Sequence, residues 1–381
     1  MEGRLKADIE ALAAMTRGSA SPGEHASGEW IAGRLREVGA RDVALEPYRF
    51  QPSYVGAHLA HVGAALLAAR LGGVRGAVLA AAALASFEAE VSGRFQWVRR
   101  LLPAAAGVNV LARVPAAGER RATLVLVAHH DAARTGLAWH PALLGLGAAG
   151  ARRRRVMTPR AGPIGVGMAL AAAPWRPLRR TGAAVLWAAA ASLADIATSP
   201  TVPGANDNAS GVAALLALAA RFAAEPPEHV EVSFVFPGCE ESGMGGMAAW
   251  LRAHRSELDP ATVFVLGLDT IGSGEPIVCT GEATLFANPY DAADLDLVDA
   301  GAARAGVAPP ARWRVSAWTD PILARHAGLR AASILSVGPD GLYANWHLPS
   351  DTPGRVDLAC AERCVRIAAG VAAELDVAAV P

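Results

Sequence analysis

The chain of 381 residues lacks several features, and each absence argues against a class of partner, site or segment. It has a single lysine, Lys6, and its 35 basic residues are balanced by 35 acidic ones. A formal net charge of zero argues against a nucleic-acid partner, because such partners need a basic surface. The four cysteines form no CxxC pair, and we interpret Cys360 and Cys364, one helical turn apart, as packed thiols rather than a disulfide.

Signal-peptide character and long apolar runs are also missing. Residues 1–17 are charged and typical of a helix, so we expect no cleaved secretory signal. Every uncharged run is shorter than the roughly 20 residues that span a bilayer comfortably. These runs are Pro52–Ala69, Gly76–Phe87, Leu137–Ala151, Ala161–Trp175 and Thr181–Ala194.

Most of the chain alternates between strand and helix patterns, and 52% of its residues are apolar, enough for a large core. The predicted strands are 42–50, 108–114, 123–128, 230–236, 263–268, 313–317 and 332–337. The predicted helices are 4–16, 23–38, 212–224, 243–254, 295–305, 321–327 and 358–375. This alternation predicts an α/β fold of three layers, α/β/α, whose central sheet is mostly parallel and covered on both faces.

Two segments do not fit that plan. Residues 52–91 and 137–198 are rich in Ala, Leu, Gly and Val, and arginines separate their apolar runs. They form either buried or dimer-forming helical hairpins, or two membrane hairpins. We favour membrane hairpins, because the sheet already has covering helices and these runs would otherwise be surplus apolar surface. Alanine adds little to insertion, and arginines on both sides leave the orientation open.

Polar residues stand at, or within a few residues of, the ends of three predicted strands. His129 follows strand 123–128, Glu240 follows strand 230–236, and Asp269 follows strand 263–268. Open α/β sheets place their functional sites at the carboxyl ends of the strands. The sequence therefore predicts one site at this edge.

His129 and Asp131 form a ligand arrangement in which the aspartate supports the histidine. His129 offers one ring nitrogen to a metal, and Asp131 accepts the other N–H and fixes the tautomer. Taken alone, most His-x-Asp sequences are incidental. His130, between them, is expected to be a pocket or packing residue.

Asp207 lies in the sequence Gly-Ala-Asn-Asp-Asn-Ala-Ser-Gly, residues 204–211. Such a loop normally indicates only a turn and a helix cap. We interpret Asn206, Asn208 and Ser210 as orienting the loop. Asp207 has two carboxylate oxygens and is therefore a candidate bridge between two metals.

Glu240 and Glu241 follow a strongly apolar strand with no counter-charge nearby in sequence. Neighbouring glutamates repel each other unless a cation or a shared proton stabilises them. A division of labour resolves the conflict: one binds metal and the other takes a proton from metal-bound water. The alternative, two exposed loop glutamates, is disfavoured by Phe234, Phe236 and Cys239.

Asp269 and His347 complete the candidate ligands. His347 is followed by Pro-Ser-Asp-Thr, residues 349–352, which is typical of a rigid frame that positions a ligand. Asp320 is a weaker candidate that shapes the pocket.

Together these motifs resemble the co-catalytic zinc aminopeptidases, the twenty-eighth metallopeptidase family. This family includes leucyl aminopeptidases, glutamate carboxypeptidases and, as divergent relatives, glutaminyl cyclases. The resemblance covers about residues 1–50, 105–135 and 200–381. It divides the chain into a zinc peptidase domain, residues 1–51, 92–136 and 199–381, and two hydrophobic insertions, 52–91 and 137–198.

The resemblance implies a role for each motif. One zinc would be held by His129 and Asp269, the other by Glu241 and His347, with Asp207 bridging. Glu240 would be the general base and acid, and Asp131 would orient His129. A water activated by both metals would attack the scissile carbonyl. The same ligands would also accept cobalt or manganese.

We therefore expect a metal-dependent exopeptidase, in the first place an aminopeptidase, whose partner is a peptide substrate. The alternatives are a glutaminyl cyclase-like acyltransferase and a non-catalytic membrane protein that retains the fold. An intact His129 argues for two metals and hydrolysis. The apolar insertions lead us to expect membrane association, with a cytoplasmic location as the alternative.

Overall fold

A computed structural model describes residues 2–144, 148–157 and 161–379. Nine strands of these residues form one mixed sheet. They are β1 (Arg41–Phe50), β2 (Ala105–Val114), β3 (Ala122–Val127), β4 (Val230–Phe236), β5 (Val263–Leu268), β6 (Glu275–Ala283), β7 (Ala287–Pro289), β8 (Ala311–Val315) and β9 (Arg330–Val337).

The strands follow the order β1-β2-β4-β3-β5-β9-β6-β7, and β8 pairs with β6. The centre, β4-β3-β5-β9, is parallel, whereas β1, β2, β6 and β7 add antiparallel pairs on the two flanks. The central strands are buried on both faces, as their nearly continuous apolar sequences require. The predicted three-layer α/β fold is confirmed.

Thirteen helices accompany the sheet in the described part of the chain. They are α1 (Glu2–Ala13), α2 (Pro22–Glu37), α3 (Val55–Leu71), α4 (Gly73–Val91), α5 (Pro141–Leu144), α6 (Ala148–Arg154), α7 (Gly162–Ala171), α8 (Arg176–Thr198), α9 (Ser210–Ala224), α10 (Gly245–His254), α11 (Ala292–Arg304), α12 (Pro321–His326) and α13 (Leu358–Ala378).

Two groups of helices cover the sheet. Helices α1, α2, α9, α11 and α13 pack against one another in one layer, and α10 packs with α12 in the other. Helix α9 is buried along nearly its whole length, which places the loop before it at the centre of the molecule. Helices α11 and α13 cross very closely where Gly301 meets Gly370.

Helices from the two predicted insertions form a second hydrophobic cluster, which we call the helical bundle. It consists of two hairpins, α3–α4 and α7–α8, and α3 contacts the other three helices. The side chains of Phe87, Met168 and Leu186 are fully buried within it. Among the described helices, α8 alone is long and apolar enough to cross a membrane.

The strand predictions agree with the structure to within three residues at each end, but two strands were missed. Strand β6 contains Pro276 and Gly281, and both residue types are disfavoured inside strands. Gly281 lies where the register against β8 shifts, and a β-carbon there would approach Asn288 O to 3.0 Å. The strand forms because it is held by neighbours on both sides, which its own sequence does not indicate.

Candidate metal centre

The parallel centre of the sheet brings three predicted site segments together. His129 follows β3, Glu240 and Glu241 follow β4, and Asp269 follows β5. Because β3 pairs with both β4 and β5, the carboxyl ends of these strands are adjacent. Loops supply Asp207, just before α9, and His347. With Asp131, which lies beside His129, all seven residues predicted from the sequence are neighbours in the fold.

Asp207 lies between the two histidines. Its Oδ1 is 3.3 Å from His129 Nε2, and its Oδ2 is 3.2 Å from His347 Nε2. His347 Nε2 also lies 3.2 Å from Glu241 Oε2. On the other side, Asp269 Oδ2 is 3.9 Å from His129 Nε2. Each histidine nitrogen thus faces a different oxygen of one carboxylate.

These separations fit zinc ligation. Two ligands at zinc distances of about 2.0–2.1 Å in tetrahedral geometry lie roughly 3.3 Å apart. The donors are imidazole nitrogens and carboxylate oxygens, which zinc accepts. Oε1 of Glu241 is also buried without a hydrogen-bond partner among the described residues. The residues present therefore fit the group that the resemblance implies.

The histidines and carboxylates of the site stabilise one another's charges. Burial alone would lower the pKa of His129, but the charge of Glu240 and the other carboxylates raises it well above its usual value. In the same way, Glu241 and Asp207 overcome burial and raise the pKa of His347 to about 10. Despite its own burial, Asp207 has a pKa below its usual value because the two histidines stabilise its charge. Cations at the histidine positions are thus strongly favoured.

The other carboxyl groups of the site have raised pKa values, which favour their neutral forms. Burial, together with the neighbouring carboxylates, raises the pKa of Glu240 well above its usual value. The same causes raise the pKa of Glu241 to about 7 and that of Asp269 to about 6. Glu240 Oε2 lies 3.9 Å from His129 Nε2, the same distance as Asp269 Oδ2.

Asp131 connects two of the strand ends. Its Oδ1 lies 3.4 Å from His129 Nδ1 and accepts the backbone N–H of Glu240 at 3.0 Å. Its Oδ2 accepts the Glu241 N–H at 3.2 Å and the Ser19 hydroxyl at 2.6 Å. This carboxylate therefore positions both glutamates as well as facing His129, a double role that the His-x-Asp pattern did not indicate.

Hydrogen bonds fix the loop that carries Asp207. The Asn208 side chain donates to Leu268 O and accepts from Thr270 N, which ties the loop to the end of β5. Asn206 Oδ1 accepts from Gly272 N at 2.7 Å. Asp351, in the predicted frame after His347, accepts the backbone N–H groups of Asn206 and Asp207.

The N-terminal segment supports the site in a way that the sequence reasoning missed. Arg17 is fully buried, and its guanidinium donates to the carbonyls of Leu12, His130, Pro203 and Gly204. It therefore joins the His129 segment to the loop before Asp207.

Glu24 has a similar supporting role. Its carboxylate accepts from the backbone N–H groups of Ala20, Val108 and Cys239. Glu24 stands three residues after the N-cap Ser21, a capping-box pattern that by itself marks only a helix start. The partner segments lie far away in sequence, so the pattern gave no sign of them.

His130 and Asp320 lie beside the ligands. The His130 ring is completely buried, donates from Nε2 to Val108 O and lies 2.8 Å from Ser27 Oγ, consistent with packing. Burial lowers its pKa to about 4. Asp320 is buried, and the residues before it, Trp318 and Thr319, line the adjoining cavity.

A cavity of about 180 Å³ opens onto Asp207, Glu240, Glu241, Asp269 and His347. The helical bundle supplies part of its wall through Tyr54, His58, Val91 and Ala161. Trp139, also from the insertion 137–198, packs edge-on against the His347 ring with centroids 4.2 Å apart. A residue of this predicted insertion thus contacts a candidate ligand directly.

Comparisons with known proteins identify relatives of this fold. Residues 189–372 match the family model described as Peptidase family M28. No curated protein sequence matches the chain. The aminopeptidase from Aneurinibacillus sp. strain AM-1 is similar over 98% of this chain and 93% of that chain, with 15% identity and a TM-score of 0.58.

Two further solved structures are similar over nearly the whole chain. The zinc aminopeptidase BSAP from Bacillus subtilis has 14% identity and a TM-score of 0.57, covering 98% of this chain and 95% of that chain. The glutaminyl cyclase from Fimbriiglobus ruber has 15% identity and a TM-score of 0.54, covering 99% and 95%.

The fold of this chain is the fold of these solved zinc exopeptidase structures. The match to Peptidase family M28 covers 184 of the 381 residues, just under half of the chain. The resemblance predicted from the motifs is thereby confirmed. The segment that carries His129 and Asp131 lies outside the matched range, so its place in the site rests on the geometry above.

Proposed function

We propose that this protein is a metal-dependent exopeptidase that removes N-terminal residues from peptides. The observation that carries the proposal is the placement of Asp207, whose two oxygens face His129 and His347 separately. Such a carboxylate can serve two ions at once. Two metals with a spare carboxylate suit the hydrolysis of an amide by water.

Each residue has a proposed role. His129 and Asp269 would hold one zinc ion, and Glu241 and His347 would hold the other. Asp207 would bind both ions. The ions, when bound, polarise the scissile carbonyl and acidify water. Glu240 is the general base that takes a proton from water and later returns it to the leaving amine. Asp131 holds the backbone of Glu240 and the ring of His129 in place.

The charges around the cavity favour an amino terminus over a carboxyl terminus. Of the described residues that line the cavity, Arg99 contributes the guanidinium, and it already pairs with buried Glu90 and donates to Ser242 O. A carboxypeptidase needs a cation for the terminal carboxylate. The carboxylates of the site instead suit the positive α-amino group of a peptide.

The aromatic cavity wall favours an apolar terminal side chain. Tyr54, Trp318, Tyr343 and Trp346 line it together with Val91. A buried apolar side chain of leucine or phenylalanine size contributes about 1.5–3 kcal/mol on leaving water. We therefore infer a preference for apolar over charged N-terminal residues.

Mass spectrometry of three matched peptides tests the proposed function. We expect zinc-loaded protein to shorten a free peptide stepwise from its N-terminus and to leave the N-acetylated version intact, because the acetyl group removes the charge that the site binds. A peptide that begins with glutamine separates the alternatives: loss of ammonia without shortening would establish a cyclase instead. No change in any peptide would favour the non-catalytic alternative and contradict the proposal.

We also propose that the protein associates with a membrane through residues 52–91 and 137–198, and that these residues are insertions in a peptidase domain formed by 1–51, 92–136 and 199–381. The apolar composition of the helical bundle supports this proposal, as does the length of α8.

A further inference from the structure

Two turns of the helical bundle meet at one end, which we call the basic tip and define as residues 67–75 and 174–180. Arg179 joins the turns: its Nε donates to Ala69 O at 3.2 Å, and its Nη1 donates to Pro174 O at 2.8 Å. A β-carbon on Gly72 would lie 2.8 Å from the same guanidinium. The α3–α4 turn and the start of α8 are therefore in direct contact.

The charge of the tip has one sign. It contains five arginines, which are Arg70, Arg75, Arg176, Arg179 and Arg180. Residues 52–87 and 132–194 contain no aspartate or glutamate, so the acidic residues of α4 and α8 stand only at the helix ends far from the tip. The chain as a whole is neutral, yet this end of the molecule is strongly positive.

Large apolar side chains stand exposed between these arginines. Leu71 is 56% exposed, Val74 82% and Trp175 66%. Exposed tryptophan and aliphatic side chains interleaved with arginine are typical of surfaces that lie in the interfacial region of a bilayer. In water these side chains have no favourable environment.

We propose that the basic tip docks onto the anionic surface of a lipid membrane. The arginines would bind lipid phosphates, and Leu71, Val74 and Trp175 would enter the headgroup region. A second copy of the chain is a poorer occupant, because a two-fold contact would bring arginines against arginines. This inference deepens the membrane association proposed above and is independent of the peptidase activity.

Docking fits the bundle better than spanning does. Of the four bundle helices, α8 alone is long and apolar enough to cross a bilayer, whereas α3 has 17 residues and α7 has 10. Their buried sides pack against each other in the helical bundle rather than facing outward. The apolar surface that remains at the tip is sufficient for a shallow contact.

The geometry sets the distance of the cavity from the membrane. Helix α3 begins next to Tyr54, in the cavity wall, and ends at Leu71, in the tip. At about 1.5 Å per residue its length is roughly 25 Å. A docked molecule would therefore hold its cavity well above the lipid surface, open to peptides in water and to protein N-termini that project from the membrane.

Vesicle co-sedimentation of the full chain tests the docking. We expect binding to phosphatidylcholine vesicles that contain phosphatidylglycerol, little binding to phosphatidylcholine alone, and release in high salt, because salt screens the arginine–phosphate attraction. The double variant Arg176→Gln/Arg180→Gln should reduce the partition coefficient by roughly thirtyfold, since each arginine near an anionic surface contributes about a factor of five.

A matched control is Arg36→Gln/Arg252→Gln, which removes two exposed arginines outside the bundle and should bind as the parent does. Peptide hydrolysis should be unchanged in both double variants, which separates this test from that of the proposed function. Equal binding to both vesicle types, or parent-like binding of Arg176→Gln/Arg180→Gln, would overturn the proposal. So would retention of the protein in lipid after high-salt and alkaline washing, which would mark a spanning protein.

Discussion

Three residues that border the metal centre adopt left-handed backbone conformations without being glycine. Cys239 precedes Glu240 and has φ 54°, Thr270 follows Asp269 with φ 51°, and His347 itself has φ 55°. Such conformations cost on the order of 1 kcal/mol each and persist only where the surroundings enforce them. Hydrogen bonds hold the first two positions, because Cys239 N–H donates to Glu24 and Thr270 N–H donates to Asn208 Oδ1.

The bridging assignment of Asp207 gives a direct prediction. In Asp207→Asn one carboxylate oxygen becomes an amide NH₂, which does not bind zinc. We expect the zinc content per chain, measured by elemental mass spectrometry after dialysis, to fall by at least half. The control is Asp340→Asn, in an exposed turn, where the amide oxygen can still accept from Leu342 N. Unchanged zinc content in Asp207→Asn would refute the bridging role.

The candidate ligands could be selected from the sequence because each stands soon after an apolar strand or in a loop with strong turn chemistry. The sequence did not predict the supporting residues. Arg17 and Pro203 are 186 positions apart, and Glu24 and Cys239 are 215 apart. Contacts over such separations depend on the packed fold, and no local pattern records them.

At the scale of elements, the central parallel strands were predictable because each is a continuous apolar run. Strand β6 was not, because Pro276 and Gly281 weaken its local preference and neighbouring strands supply the stabilisation. The hairpins of the helical bundle were predictable as helices. The contact of Trp139, in the segment before α5, with Trp346 and His347 was not predictable from the sequence.

The crossing of α11 and α13 allows a stability prediction with an internal control. A β-carbon on Gly370 would lie 1.9 Å from Gly301 O, so Gly370→Ala must push the helices apart. We expect the free energy of unfolding, measured in urea, to fall by about 1–3 kcal/mol. Gly33, inside α2, has no atom within 4 Å of the place that a β-carbon would take. Gly33→Ala should therefore raise the free energy of unfolding by about 0.5–1 kcal/mol. Equal effects of the two substitutions would contradict the close crossing.

At the scale of the whole molecule, metal binding should be coupled to proton release. His347, with a pKa of about 10, is protonated in the metal-free protein at pH 7, whereas a metal needs the neutral ring. Zinc affinity should therefore rise with pH between about 7 and 10. Calorimetry in two buffers of different ionisation enthalpy should detect at least one released proton per chain; none released would contradict the assignment of His347.

The same pKa sets how the metal-free fold responds to pH. Because the folded pKa of His347 is raised above 6.5, its contacts with Asp207 and Glu241 stabilise the metal-free protein fully below pH 6.5. This stabilisation is lost as the pH rises through about 10. Bound zinc should remove this pH dependence of stability, because the ion replaces the proton of His347 as the positive partner of Asp207 and Glu241.

The most direct measurement of the central claim is the turnover of a free peptide by Glu240→Gln, with zinc content determined on the same sample. Glu240 is the proposed general base and not a ligand, so we expect hydrolysis to fall by roughly 10²–10⁴-fold while zinc stays bound. Glu241→Gln is the contrast, because loss of a ligand should lower the zinc content as well. Parent-like hydrolysis by Glu240→Gln at full zinc content would contradict the proposed mechanism.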